Sequence, residues 1–186
     1  KIVFELGMRT LVVGENGAGK SNLMEAIYLL AAGKSFRADR DEEMLKYGEK
    51  FSIINSQFSN NNSIFNLQIT IIDRKKFEVN GVARRMVDAV GNLKAVLFSP
   101  ADMELVTGSP GGRRRYLDFV ISQKDREYRR SLISYEKGLR QRNRLLDLIR
   151  EGTAGRNQLF FWDKLLIKNG QYLTDRRAEY LARPGF

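Results

Sequence analysis

The sequence predicts an α/β lobe carrying an antiparallel β-layer, followed by the helical hairpin of a second lobe. Three observations predict it. A glycine-rich loop pattern stands between an apolar run and a helix-like segment near the start of the chain. Two pairs of β-type runs, each closed by a polar turn, fill the middle. Apolar positions at helical spacing then dominate the last third. The division falls near Gly108, giving residues 1–108 and 109–186.

The glycine-rich stretch is Gly14-Glu15-Asn16-Gly17-Ala18-Gly19-Lys20-Ser21, which matches G-x-x-x-x-G-K-[ST]. A chance match in a chain this long is roughly one in a hundred on average residue usage. Thr10–Val13 reads as a short buried strand, and Ser21–Ala32 as a helix with Leu23, Ile27 and Leu30 on one face and Met24 beside them. Strand, loop and helix in that order suit phosphate binding. Glycines let the backbone bring its N–H groups against phosphate oxygens, and the helix N-terminus adds unsatisfied donors. Lys20 is expected at the β- and γ-phosphates of ATP, with the Ser21 hydroxyl on magnesium and Asn22 next in the set. The central Asn16-Gly17 with Gly19 resembles the loop form of ABC-type ATPases more than that of small-molecule kinases.

Composition excludes several chemistries. The 186 residues contain no cysteine and no histidine, which removes disulfides, Cys/His zinc sites and histidine acid–base catalysis. No apolar run is long enough to span a membrane and no signal peptide is visible, so the expectation is a cytoplasmic protein without a membrane partner. A net charge of +10 points to a polyanionic partner. Between Arg113 and Arg150 stand twelve Lys and Arg against five Asp and Glu, so most of the excess sits in one segment.

Taken in order, Lys1–Phe4 is strand-like, and its abrupt start suggests residues missing ahead of it or between Gly7 and Met8. Gly33 is a helix stop. Phe51–Phe58 and Ile64–Ile72 form a hairpin around Ser59–Ser63. Lys76–Val79 and Val82–Arg85 form another, with Asn80-Gly81 as the type I′ pair. Lys94–Phe98 reads as a short buried strand. Ser99 caps a helix with Pro100 at its first position and Asp102 in its first turn, and Arg113-Arg114-Arg115 opens another. From Gln123 to Arg150, Tyr128, Leu132, Tyr135, Leu139, Leu146 and Ile149 recur at helical spacing. Leu159, Trp162, Leu166, Leu173 and Tyr180 resume the pattern from Gln158 to Arg183, which makes an antiparallel hairpin.

Ile69–Asp73 superficially resembles a magnesium-binding carboxylate strand. Arg74 and Lys75 follow it, however, and the end of a hairpin strand explains it better. Three arginines at a helix start oppose the macrodipole, so Arg113–Arg115 imply either an anionic partner or acidic neighbours such as Asp102 and Asp118. Arg126, Arg129, Arg130, Arg140, Arg142 and Arg144 fall on the polar side of the long helix, as a solvated face or a phosphate-tracking one. The candidate DNA-contacting set is Arg113, Arg114, Arg115, Arg126, Arg130, Arg140 and Arg144.

Three segments together resemble the RecF family of bacterial DNA replication and repair proteins: GENGAGKSNLMEAIYLLAAGKSFR, VLFSPADMELVTGSPGGRRRYLDF, and the stretch from Tyr135 through Asn143 to Trp162–Arg177. The resemblance covers nearly the whole chain but about the N-terminal half of a family member. It implies a partial ABC/SMC-like ATPase head that binds ATP and magnesium through Gly14–Ser21. Arg37, in GKSFR, looks like the arginine that such heads place near the nucleotide. Phe98–Asp102 lies where related heads carry a Q-loop, but no glutamine stands there, which leaves the role of Asp102 near magnesium open. The resemblance also implies a weak ATPase that forms an ATP-dependent homodimer, binds single-stranded or gapped DNA, and works with RecO and RecR to load recombinase in DNA-damage repair and the SOS response. The family's signature motif and carboxylate strand lie later, so no catalytic residue is assigned here, and this chain alone is expected to hydrolyse little or no ATP. The alternatives are an SMC-type head fragment, a nucleotide-independent DNA-binding module with a vestigial loop, and a small-molecule kinase.

Overall fold

Alternation of apolar and polar residues builds the sheet. In β2 (Ser63–Ile71), Leu67, Ile69 and Ile71 are buried while the residues between them are not. The computed structural model describes residues 2–60 and 63–182. Lys1 of the first expected strand, Asn61 and Asn62 of the polar loop, and the terminal residues 183–186 lie outside the described residues. The sheet has four antiparallel strands in sequence order: β1 (Ser52–Asn60), β2, β3 (Lys75–Val79) and β4 (Val82–Arg84). Its register pairs Ser52 with Ile71, Ile71 with Lys75 and Val79 with Val82. The β3–β4 turn is the expected one, with Asn80 at φ 52° and Gly81 at φ 76°. Asp73 falls in the turn after β2, as a hairpin end.

Helix α1 (Lys20–Ala32) packs on this sheet. Leu29 and Leu30 join Leu67, Ile69, Ile71, Phe77 and Ala89 in one core. Gly33 ends the helix in the left-handed conformation, donating its N–H to Leu29 O at 2.8 Å. The short helix α2 (Met86–Ala89) follows β4, and a 3-10 turn at Pro100–Met103 leads into α3 (Glu104–Thr107). Asp102 reaches back to Ser99, accepting from its N–H at 2.5 Å and its hydroxyl at 2.9 Å.

The remaining helices are α4 (Pro110–Lys124), α5 (Arg126–Arg150) and α6 (Leu159–Leu181). α5 and α6 form the antiparallel hairpin, with Gly138 against Leu165 and Leu166, and Gly170 against Tyr135. The seam also differs in detail from its sequence pattern. Leu139 and Leu146 face solvent, while Gly138 and Leu145 are buried. The long helix does not begin at Gln123. Asp125 is extended, breaks α4 from α5, and caps α5 by accepting from Tyr128 N–H at 2.9 Å. Ile121, Tyr128, Leu173 and Tyr180 form a second core. Within it the Tyr128 hydroxyl donates to Asp118, which also accepts from Arg177 at 2.8 and 2.9 Å.

Three expected strands are not formed. Residues 2–4, Thr10–Val13 and Lys94–Phe98 pair with no strand among the described residues. Leu11, Val13, Val96 and Phe98 are each more than three-quarters exposed. Apolar composition marks a segment that suits burial, but a strand exists only when a neighbour takes its N–H and C=O groups.

A buried arginine joins the two cores. Arg129 donates from Nη1 to Val87 O at 2.8 Å and Val90 O at 2.5 Å, and from Nε to Ser122 O at 2.8 Å. Gly91, at φ 93°, lies against it: a Cβ there would stand 2.5 Å from Arg129 Nη2 and 3.2 Å from Gln123 O. Gly91→Ala is expected to cost about 2 kcal/mol or more. Arg129→Met, which leaves three carbonyls without this donor, is expected to cost about 3 kcal/mol. Thermal unfolding of the two variants beside the parent measures both.

Candidate nucleotide site and the basic face

The loop from Gly14 to Ser21 is built on its glycines. Gly17 and Gly19 stand at φ 85° and 91°, in the left-handed region that side chains disfavour. Gly19 is the N-cap of α1, and its C=O accepts from Leu23 N–H at 3.1 Å, while Ala18 N–H closes a turn on Glu15 O at 3.2 Å. Lys20 folds back across the loop. Its Nζ donates to Gly14 O and to Glu15 O, both at 2.7 Å. Two of three ammonium hydrogens are thereby fixed and the third is left. Among the described residues, the N–H groups of Gly17, Gly19, Lys20 and Ser21 have no acceptor. Unpaired donors at a helix N-terminus, with an ammonium anchored over the loop, fit a phosphate chain.

Ser21 and Asn22 are exposed at the first turn of α1. Arg37 comes back to that turn from the segment after the helix, donating to Asn22 Oδ1 at 2.8 Å and to Glu25 Oε2 at 2.6 Å. The structure thus brings Gly14, Glu15, Asn16, Gly17, Ala18, Gly19, Lys20, Ser21, Asn22 and Arg37 to one place. Sequence reading missed Glu25, which is buried on α1 where the pattern assigned the inner face to Leu23, Ile27 and Leu30. Its spacing was a signal: it lies one turn beyond Ser21. No group of three His, Cys, Asp or Glu that could hold a metal exists among the described residues. Tyr28 connects this site to the helices behind it, stacking on Phe119 of α4 at 5.3 Å and meeting Phe36 edge-on at 5.6 Å. Burial, and then the nearby Asp102 charge, raise its hydroxyl above the ordinary tyrosine value.

The seven candidate DNA-contacting arginines divide. Arg126 and Arg130 are ion-paired to Asp88, Arg130 at 3.5 Å. Arg113 donates to Leu105 O at 3.4 Å and Gly108 O at 3.1 Å. Arg114, Arg115, Arg140 and Arg144 are exposed and make no ion pair among the described residues. Asp102 and Asp118 do not neutralise Arg113–Arg115, because Ser99 takes the first and Arg177 with Tyr128 the second. Two more assignments to the polar side of α5 are corrected. Arg129 is buried under three carbonyls, and Arg142 is bound to Asp163 at 2.6 Å. Trp162 sits edge-on to Phe161 at 4.9 Å on the hairpin.

Comparisons with known proteins bear on the fold and family. The family model described as "AAA domain, putative AbiEii toxin, Type IV TA system" matches residues 9–87. A solved structure from work on ATP-driven dimerization and DNA-stimulated activation of SMC ATPases matches with TM-score 0.51 and 22% identity, covering 64% of this chain and 87% of that one. The fold is therefore that of an ABC/SMC-type ATPase head. Within that class, the chain matches the amino-terminal half of RecF. It is 40% identical to the DNA replication and repair protein RecF of Thermomicrobium roseum, over 94% of this chain and 48% of the relative. Against RecF of Symbiobacterium thermophilum the identity is 36%, over 98% and 48%. A structure of the recombination mediator protein RecF-ATPrS in the RecFOR pathway superposes with TM-score 0.83 and 34% identity, covering 90% of this chain and 46% of that one. The chain spans about half the length of the curated relatives it matches. No helix among the described residues is long and apolar enough to cross a membrane.

The Asp88 carboxyl is held at about 2, chiefly by the hydrogen bond from Arg126, against partial burial and with help from Arg85. Asp125 is pushed up by burial, but the Tyr128 N–H and the Arg176 guanidinium outweigh this and bring it below its ordinary value. Both folded values lie below the unfolded value near 3.8, so their stabilisation is present above about pH 4 and is lost as pH falls, for Asp88 toward about 2. The melting temperature should drop across that window, and Asp88→Asn should flatten the drop. In the loop, Gly19→Ala should cost about 1–2 kcal/mol for forcing a side chain into the left-handed region, read by thermal unfolding.

Proposed function

We propose that this chain is the ATP-binding portion of a RecF-like DNA recombination and repair protein. Residues 1–108 act as the nucleotide lobe, and residues 109–186 begin the helical lobe. The observation that carries the reading is the loop: Lys20 pinned to Gly14 O and Glu15 O, with unpaired N–H groups at the start of α1. Similarity to RecF-ATP and RecF-ATPrS structures supports ATP as the ligand. In this reading Gly14–Ser21 hold the triphosphate, Ser21 ligates magnesium and Arg37 adds a cation beside Asn22. Bound ATP and magnesium supply the charge and contacts that join two heads in the full-length protein. No catalytic residue is assigned to this chain.

DNA, single-stranded or gapped, is the proposed polyanionic partner, and the four arginines with no ion pair among the described residues, Arg114, Arg115, Arg140 and Arg144, are its proposed contacts. RecO and RecR are the proposed protein partners in recombinase loading, a role supported by the likeness to a recombination mediator of the RecFOR pathway. The proposed cellular site is the cytoplasm.

Titration with ATP and magnesium tests the nucleotide reading. The parent chain should bind and Lys20→Ala should not. DNA binding retained at low salt by a parent chain that ignores ATP would instead favour the vestigial-loop module. Removing both Arg140 and Arg144 should weaken single-stranded DNA binding and reduce the slope of log K against log salt by about 1 to 2, measured by fluorescence anisotropy across a salt series.

A further inference from the structure

We propose that Glu25 is a positioning residue, fixing Arg37 beside the phosphate loop. The inference rests on the reading of that loop as an ATP site. Glu25 lies one helical turn beyond Ser21 and is buried, 9% exposed. A bare carboxylate at that distance from a triphosphate would oppose binding. Its two oxygens are instead both engaged. Oε1 accepts from the Ser35 hydroxyl, and Oε2 accepts from Arg37 Nη2 at 2.6 Å. Ser35 Oγ in turn accepts from the N–H groups of Arg37 at 2.9 Å and Ala38 at 2.8 Å, which fixes the backbone carrying the arginine. The other Nη2 hydrogen goes to Asn22 Oδ1 at 2.8 Å.

The consequence is a cation held on two sides by residues three positions apart on α1. Its side chain remains 47% exposed. Both Nη2 hydrogens are used, while among the described residues the Nε–H and the two Nη1 hydrogens have no acceptor. Glu25 therefore orients the guanidinium without consuming it. A planar fork with three remaining donors suits an oxyanion better than a mobile arginine would, because less freedom is lost on binding.

The test turns on the sign of one effect. Glu25→Gln removes a negative charge near the site, so simple electrostatics predicts tighter ATP binding. Positioning predicts weaker binding, because the amide replaces one of the two acceptor oxygens facing Ser35 and Arg37 with a donor NH2 and ends the ion pair with the guanidinium. The expected result, by calorimetric titration of this chain with ATP and magnesium, is a Kd raised roughly five- to tenfold. Arg37→Ala should give a comparable loss, and Glu25→Gln added to Arg37→Ala should change Kd by less than about twofold, as residues acting through one another do. Equal or tighter binding in Glu25→Gln, or losses that simply multiply, would overturn the proposal. If Glu25→Gln does not fold, Glu25→Asp replaces it: the carboxylate is withdrawn by one methylene, binding should weaken, and an unchanged Kd overturns the proposal. A parent chain that fails to bind ATP overturns both readings. A parent that binds, with Lys20→Ala abolishing it and Glu25→Gln leaving it unchanged, overturns this one alone.

Discussion

The guanidinium of Arg129 accepts no compromise in its surroundings. It is buried between the end of α2 and the end of α4, and burial, with some help from the Arg126 charge, pulls it below the ordinary arginine value. Removing such a group from water costs several kcal/mol unless its hydrogens are all directed at acceptors. Here the acceptors are Val87 O, Val90 O and Ser122 O, the carbonyl ends of two helices whose dipoles favour a cation. The sheet with α1 has one apolar core, and α4, α5 and α6 have another. Arg129 is the polar junction between them, and Gly91 must lack a side chain for the junction to close.

The nucleotide loop depends on this arrangement at one remove. Helix α1 begins at the loop, runs along the sheet and touches α4 through Tyr28 and Phe119. Helix α4, which starts at Pro110 rather than at Arg113 as its sequence suggested and carries Arg113–Arg115 just inside its start, is thus in direct aromatic contact with the helix opened by the phosphate loop. Glu25 lies in the second turn of α1, and Arg37 returns to it from the segment after the helix.

Much of this was legible in the sequence, for local reasons. The phosphate loop is a contiguous motif, the β3–β4 hairpin is announced by Asn80-Gly81, and the α5–α6 seam repeats at a period that only a helix satisfies. What stayed hidden is nonlocal. Arg129 looks like its neighbours Arg126 and Arg130, yet its acceptors on the α2 side lie 39 and 42 residues earlier in the chain. Asp88 and Glu25 look like surface carboxylates, and only the fold sets Arg126 and Arg37 against them. The break at Asp125 was readable by a cap rule, since an Asp three residues before Tyr128 can accept its N–H, but the helical period on either side masked it. Strand pairing is the extreme case: composition named three segments as strands, and pairing had to come from elsewhere.

Those three segments determine how the molecule behaves in company. Residues 2–4, Thr10–Val13 and Lys94–Phe98 combine exposed Ile, Leu, Val and Phe side chains with backbone groups that no strand among the described residues satisfies. An apolar ribbon with open hydrogen-bonding edges recruits whatever extended chain it meets. At high concentration the readiest such chain is another copy, so colloidal stability rests on the mutual repulsion supplied by a net charge of +10. Added salt screens that repulsion while leaving the ribbons as adhesive as before.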